Sequence, residues 1–229
     1  SYAEIKALAT GNPHIKEKMD LDIQVSRLQL LKQSFLNQKY EMEDKVAKYF
    51  PEKIRQQELL IRQYEEDIRQ IKAHTPTDRE TFPAMQIGEH FYTEKKEAGQ
   101  AIIDACKAMK SPEPVPLGTY RGLSMELSYS SVSQEFVIAL HGRGTYKVPL
   151  GTDIYGNITR LDNKMNELPD NLSRSREQLE TAKSQLETAK AEAQKEFPQE
   201  QELAEKVARL GELNVLLDMD KKDRVVMEE

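Results

Sequence analysis

The sequence predicts a predominantly helical α+β chain: a long antiparallel intramolecular coiled coil with a small inserted α/β head of three to four antiparallel strands and one helix. Two observations carry the helical part: apolar residues near each end recur at heptad steps, and Glu, Lys, Gln, Leu and Ala crowd those ends. A third carries the head, since the middle holds most of the Gly and Tyr and shows runs that alternate apolar and polar. The expected segments are an N-terminal helical arm over 1–75, the head over 76–156, a C-terminal arm over 157–220 and a tail over 221–229.

In the first arm the seam runs through Leu21, Val25, Leu28, Phe35, Met42, Val46 and Tyr49, with Lys32 and Lys39 at seam positions. Lysine stems pack there while the ammonium groups reach water, which weakens the seam locally and helps to fix its register. Phe50-Pro51 predicts a break and restart, because proline suits the first turn of a helix. Beyond it come Ile54, Ile61, Tyr64, Ile68 and Ile71, and the arm stops near Thr75-Pro76.

The second arm repeats the logic through Ile158, Leu161, Met165, Leu168, Leu172, Leu179, Ala182, Leu186 and Ala189. It contains the tandem heptads QLETAKS and QLETAKA over 178–191. Pro169 is a candidate kink, and Phe197-Pro198 a second break before Leu203, Leu210, Leu213 and Leu217. About 60 helical residues would span about 90 Å, too long to stand without a partner helix. The nearest partner is the other arm; self-association of the same stripes is the alternative.

In the head, the segment 85–92 predicts a strand, with Thr93 as N-cap of a helix whose apolar face is Ala98, Ala101, Ile102, Ala105, Cys106 and Met109. After a Pro-rich stretch over 111–116, alternation marks strands at Leu123 to Tyr129, Phe136 to Leu140 and Tyr146 to Leu150. Gly142-Arg143-Gly144 between the last two reads as a hairpin turn rather than a phosphate loop, since no helical pattern follows it.

Four stretches resemble a known family: SYAEIKALATGNPHIKEKMDLDIQVSRLQLLK, FYTEKKEAGQAIIDACKAMKSPEPVPLGTYRG, GTDIYGNITRLDN and FPQEQELAEKVARLGELNVLLDMD. Together they resemble the C-terminal region of very large proteins of bacterial conjugative and related mobile elements that join a Swi/Snf-like helicase to an adenine-specific DNA methylase. The resemblance implies a parent that moves along, remodels or methylates DNA, with this segment downstream of the motor. The machinery itself is missing from the sequence: there is no G-x-x-x-x-G-K-[ST] loop, no acidic helicase box and no methylase Asn/Asp-Pro-Pro-aromatic motif. Asn12-Pro13-His14 lacks the second proline and the aromatic ring.

The expected role is therefore a non-catalytic accessory segment that positions the head for contact with DNA or with the rest of the parent polypeptide. A protein-interaction or oligomerisation module without nucleic-acid binding is the alternative. Arg121, Arg143 and Lys147 with Tyr120 and Tyr146 are the candidate nucleic-acid face, cations for phosphates beside rings for bases. Charge argues against it, since 75–156 holds eight basic and ten acidic residues and the whole chain carries −6. No cofactor, metal or small-molecule ligand is expected, because His14, His74, His90, His141 and Cys106 show no ligand spacing. The single cysteine and the lack of a long apolar run point to a cytoplasmic location without a membrane partner. The opening Ser-Tyr-Ala-Glu, already in helical pattern, reads as a segment of something longer, although processing would look similar.

Overall fold

The computed structural model describes residues 11–78 and 80–227, with side chains described up to residue 218. The chain is mostly helical with one antiparallel sheet, and its packing separates two units. One unit combines the residues up to Phe50 with those from Gln185 onward; the other is Pro51–Ser184. This division differs from the expected segments: 51–75 and 157–184, assigned by periodicity to the arms, belong to the sheet unit.

The first unit contains helix α1 (Pro13–Asp44), capped by the Asn12 side chain, which accepts the His14 N–H at 3.0 Å. Pro13 occupies the first turn, where its missing N–H costs nothing. A single π turn (Lys45–Tyr49) follows, in which the Phe50 N–H reaches back to the Lys45 carbonyl. Helix α2 (Phe50–Ala73) starts directly after it. The expected break at Phe50-Pro51 is thus a π turn, whose wider backbone helps to accommodate a proline that has no N–H to donate. The extra residue also rotates the apolar stripe: Tyr49, expected in the seam, is 54% exposed, while Phe50 is 9% exposed.

In the same unit, α1 packs antiparallel on the last helix, which is named α6 (Glu200–Met227). Val25 and Leu28 form a small core with Leu203, and Leu210 packs against it. Leu21, Phe35, Met42, Val46 and Leu217 are half-buried. The Phe35 and Phe197 rings meet at 5.8 Å. Polar contacts cross the pair in descending register: Arg209 to Glu17 at 2.8 and 3.0 Å, Lys206 to Gln24 at 2.8 Å and Lys32 to Glu200 at 2.6 Å. Lys39 donates to the Lys195 carbonyl at 3.2 Å, so both seam lysines have specific acceptors. Helix α6 runs on to Met227, past the expected end of the arm at 220; residues 228 and 229 lie outside the described residues.

The sheet unit has six strands rather than three or four, in the order β2-β1-β3-β4-β5-β6, all antiparallel. The segment expected as one strand is a hairpin, β1 (Met85–Ile87) and β2 (His90–Tyr92), turned at Gly88 with φ +59°. Strand β3 (Val115–Tyr120) emerges from the Pro-rich stretch, and its register shifts between Pro116 and Gly118. That irregularity hides the strand from a search for strict alternation. The meander continues through β4 (Leu123–Ser130), β5 (Glu135–His141) and β6 (Thr145–Pro149).

Helix α3 (Lys95–Ala108) is capped at Glu94, not Thr93, without a side-chain bond. Ala98 and Ile102 on its predicted face are buried. Helix α4 (Ile154–Asn166) is capped by Asp153, which accepts the Gly156 N–H at 2.5 Å. Helix α5 (Leu168–Ala193) begins after Glu167, with Pro169 in its first turn, so this proline marks a helix start. One core gathers Met85, Leu123, Leu127, Ile138 and Leu140 from the sheet, Ile102 from α3, and Ile158, Leu161 and Met165 from α4. Leu161 and Leu168, expected in the coiled-coil seam, are buried in this core, and Ile68 packs against it. Ile61, Leu172, Leu179 and Leu186 are half-buried. Periodicity identified an apolar face in each helix but not which surface it meets. Ser124, Glu126 and Ser128 alternate with the core residues of β4 on the sheet's other face.

Candidate functional site

The turn between β5 and β6 binds an anion, and that anion belongs to the protein. Asp67 of α2 is completely buried and accepts the Arg143 N–H at 2.6 Å and the Gly144 N–H at 2.9 Å. Its second oxygen also accepts the Tyr146 hydroxyl at 2.5 Å. Successive backbone N–H groups in a turn make a concave anion receptor, and here a carboxylate from a neighbouring helix fills it. Gly142 permits the approach, because a Cβ at that position would lie 2.2 Å from Asp67 Oδ1. Tyr146 stacks on Tyr64 of α2 with ring centroids 6.4 Å apart. Burial first, then the bond to Asp67, holds the Tyr146 hydroxyl well above the usual phenol range.

The five residues predicted as a nucleic-acid face do not share a surface. Tyr120 is 1% exposed and donates its hydroxyl to Asp162 at 2.9 Å. Arg121 (φ +47°) and Gly122 (φ +80°) form the tight β3–β4 turn with both residues left-handed, which directs the chain back into an adjacent strand. The Arg121 side chain is 11% exposed; Nε donates to Thr75 at 2.8 Å and Nη1 to Asp162 at 3.1 Å. Tyr120, Arg121 and Tyr146 therefore each make internal contacts, through the Tyr120 and Tyr146 hydroxyls and through Nε and Nη1 of Arg121. Lys147 is exposed on the opposite side of its strand from Tyr146, beside Ala139 of β5.

Arg143 shares a concave surface with two further arginines. It lines a groove of about 700 Å³ with Arg62 and Arg69 of α2, over Leu59. Arg69 pairs with Glu66, and Glu65, also in the lining, pairs with Arg176 at 2.8 Å. Arg62 and Arg143 make no ion pair among the described residues. The seven-residue spacing of Arg62 and Arg69 places them along one side of a helix, a signal present in the sequence. Their proximity to Arg143 depends on the Asp67 contact, which no local pattern reveals.

No family model, curated protein or solved structure matches the chain. Among the described residues, no group of three or more His, Cys, Asp and Glu side chains could hold a metal ion. No helix there is long and apolar enough to cross a membrane. Cys106 is half-buried, and burial pushes its thiol up to about 11, away from nucleophilic use near neutral pH. His141 faces Glu126 across the sheet at 3.6 Å.

Proposed function

We propose that the chain is a non-catalytic accessory segment of a large DNA-remodelling and DNA-methylating protein, placing its sheet unit for contact with DNA or with the rest of that polypeptide. In this reading the helices from the two ends of the sequence pair as an antiparallel coiled coil within one molecule, and the sheet unit is the inserted head. The observation that supports it is the pairing of α1 with α6 through Val25, Leu28 and Leu203, keyed by polar contacts from Glu17–Arg209 to Lys32–Glu200. The family resemblance supplies the link to DNA, and the groove containing Arg62, Arg69 and Arg143 supplies a place for phosphate contact.

The test is fluorescence anisotropy of duplex and single-stranded oligonucleotides at two salt concentrations. Binding by the wild-type chain is expected to weaken with salt, and Arg62→Gln with Arg143→Gln to lower the log–log slope by about 2. Absence of wild-type binding, or a double variant with the same affinity and slope, overturns DNA contact at this groove. It would leave the interaction-module reading, which the apolar side of α1 favours: Ile23 is 69% and Leu30 73% exposed.

A further inference from the structure

A second cleft in the sheet unit has a different chemistry. It encloses about 430 Å³ among the C-terminal end of α2, the loop that follows it, the β3–β4 turn and the α4–α5 junction. That volume lies in the range of small-molecule sites, which are concave, largely apolar and furnished with a few fixed polar groups. Ile68, Ile71, Met165 and Pro169 supply the apolar walls. Lys72 and Arg121 also line it, and no acidic side chain among the described lining residues does.

Arg121 is held as a receptor would hold it. Its side chain is nearly buried, and Nε and Nη1 are tied to Thr75, Asp162 and Asn166. Nη2 makes no hydrogen bond among the described residues, although the guanidinium carries five N–H donors in a rigid plane. The left-handed backbone at Arg121 and the Thr75 contact fix that plane before any ligand arrives, reducing the entropy lost on binding. Asp162 anchors Arg121 from outside the cleft lining, so it orients the cation without occupying the space a ligand would take. Lys72 is exposed and has no ion-pair partner among the described residues.

We propose that this cleft binds an aliphatic carboxylate, the alkyl part against Ile68, Ile71, Met165 and Pro169 and the carboxylate on Arg121 Nη2 and Lys72. Two cations beside a wall of four aliphatic or thioether side chains match a monoanion with an apolar tail better than a phosphate, which would leave the wall uncovered. The sequence predicts no small-molecule ligand, because the cleft arises only when α2, α4 and the β3–β4 turn converge. It is separate from the arginine groove and does not depend on DNA contact.

The test is a methyl NMR titration of the full chain with four probes: hexanoate, hexan-1-ol, N-acetyl-leucine and N-acetyl-leucinamide. Saturable shifts are expected at Ile68, Ile71 and Met165 with at least one acid, and its neutral counterpart should bind about tenfold more weakly or less. Tighter binding of hexanoate identifies a free fatty-type acid as the source, and tighter binding of N-acetyl-leucine the C-terminal residue of a peptide. Lys72→Glu, on an exposed side chain, should weaken the bound acid about tenfold or more while leaving the remaining methyl spectrum unchanged. Acids and neutral probes of equal affinity, no shift at these methyls, or a Lys72→Glu titration identical to wild type would overturn the proposal.

Discussion

Asp67 shows how one side chain ties a helix to a hairpin. A buried carboxylate is stable only when its acceptor sites are filled, and two backbone N–H groups and a phenol fill them here. Asp67→Asn keeps the shape but turns an N–H2 group toward a set of donors. It should cost about 1–3 kcal/mol, read as a lower urea midpoint with unchanged slope; an unchanged midpoint would show that the turn holds Arg143 without the carboxylate. The residue-level record of the sequence divides along the same line. Gly142-Arg143-Gly144 was legible as a turn, because it sits between two alternating runs. Asp67 was invisible, since a charged residue on a helix one step from Ile68 looks like part of the solvated face. Tyr120 and Arg121 were misplaced because neither shows in sequence that Asp162, about 40 positions away, waits for both.

At the scale of elements, the π turn changes which aromatic residue packs. Continuing the heptad from Val46 selects Tyr49, whereas the inserted residue selects Phe50. Phe50→Ala should therefore cost about 3–5 kcal/mol and Tyr49→Ala much less, compared by urea unfolding. Equal costs would contradict the shift in register. A second element-level prediction concerns the α1–α6 pair. The bond from Arg209 holds the Glu17 carboxyl below its ordinary value of 4.5, partly offset by desolvation. The sign follows: this contribution to pairing is fully present above pH 4.5 and is lost as pH falls through the lowered value. NMR titration of Glu17 should give a midpoint that rises toward 4.5 in Arg209→Gln, and an unmoved midpoint would remove the pair from the account.

For the whole molecule, composition and periodicity disclosed a helical chain with a β-rich middle, and the covering face of α3 was readable from Ala98 and Ile102. The strand count was not. Strand β3 contains prolines, a glycine and a register shift, and the short β1–β2 hairpin mimics one longer strand. The assignment of helices to units also escaped, because Leu161 and Leu168 have the same spacing whether they meet another helix or a sheet. The arginine groove and the Arg121 cleft belong to this scale too, since each draws residues from segments far apart in sequence.

The claim on which the functional reading rests is that the two ends of one chain pair with each other. Lys32 and Glu200 face each other with their charged atoms 2.6 Å apart, so a carbodiimide, which activates a carboxylate for attack by an amine and leaves no spacer in the amide formed, reports on it directly. Carbodiimide treatment of a mixture of isotopically heavy and light chains, followed by mass spectrometry of the peptides joined through Lys32 and Glu200, distinguishes the two arrangements. The account predicts heavy–heavy and light–light pairs alone; mixed pairs at their statistical frequency would place the helices in different molecules and contradict it.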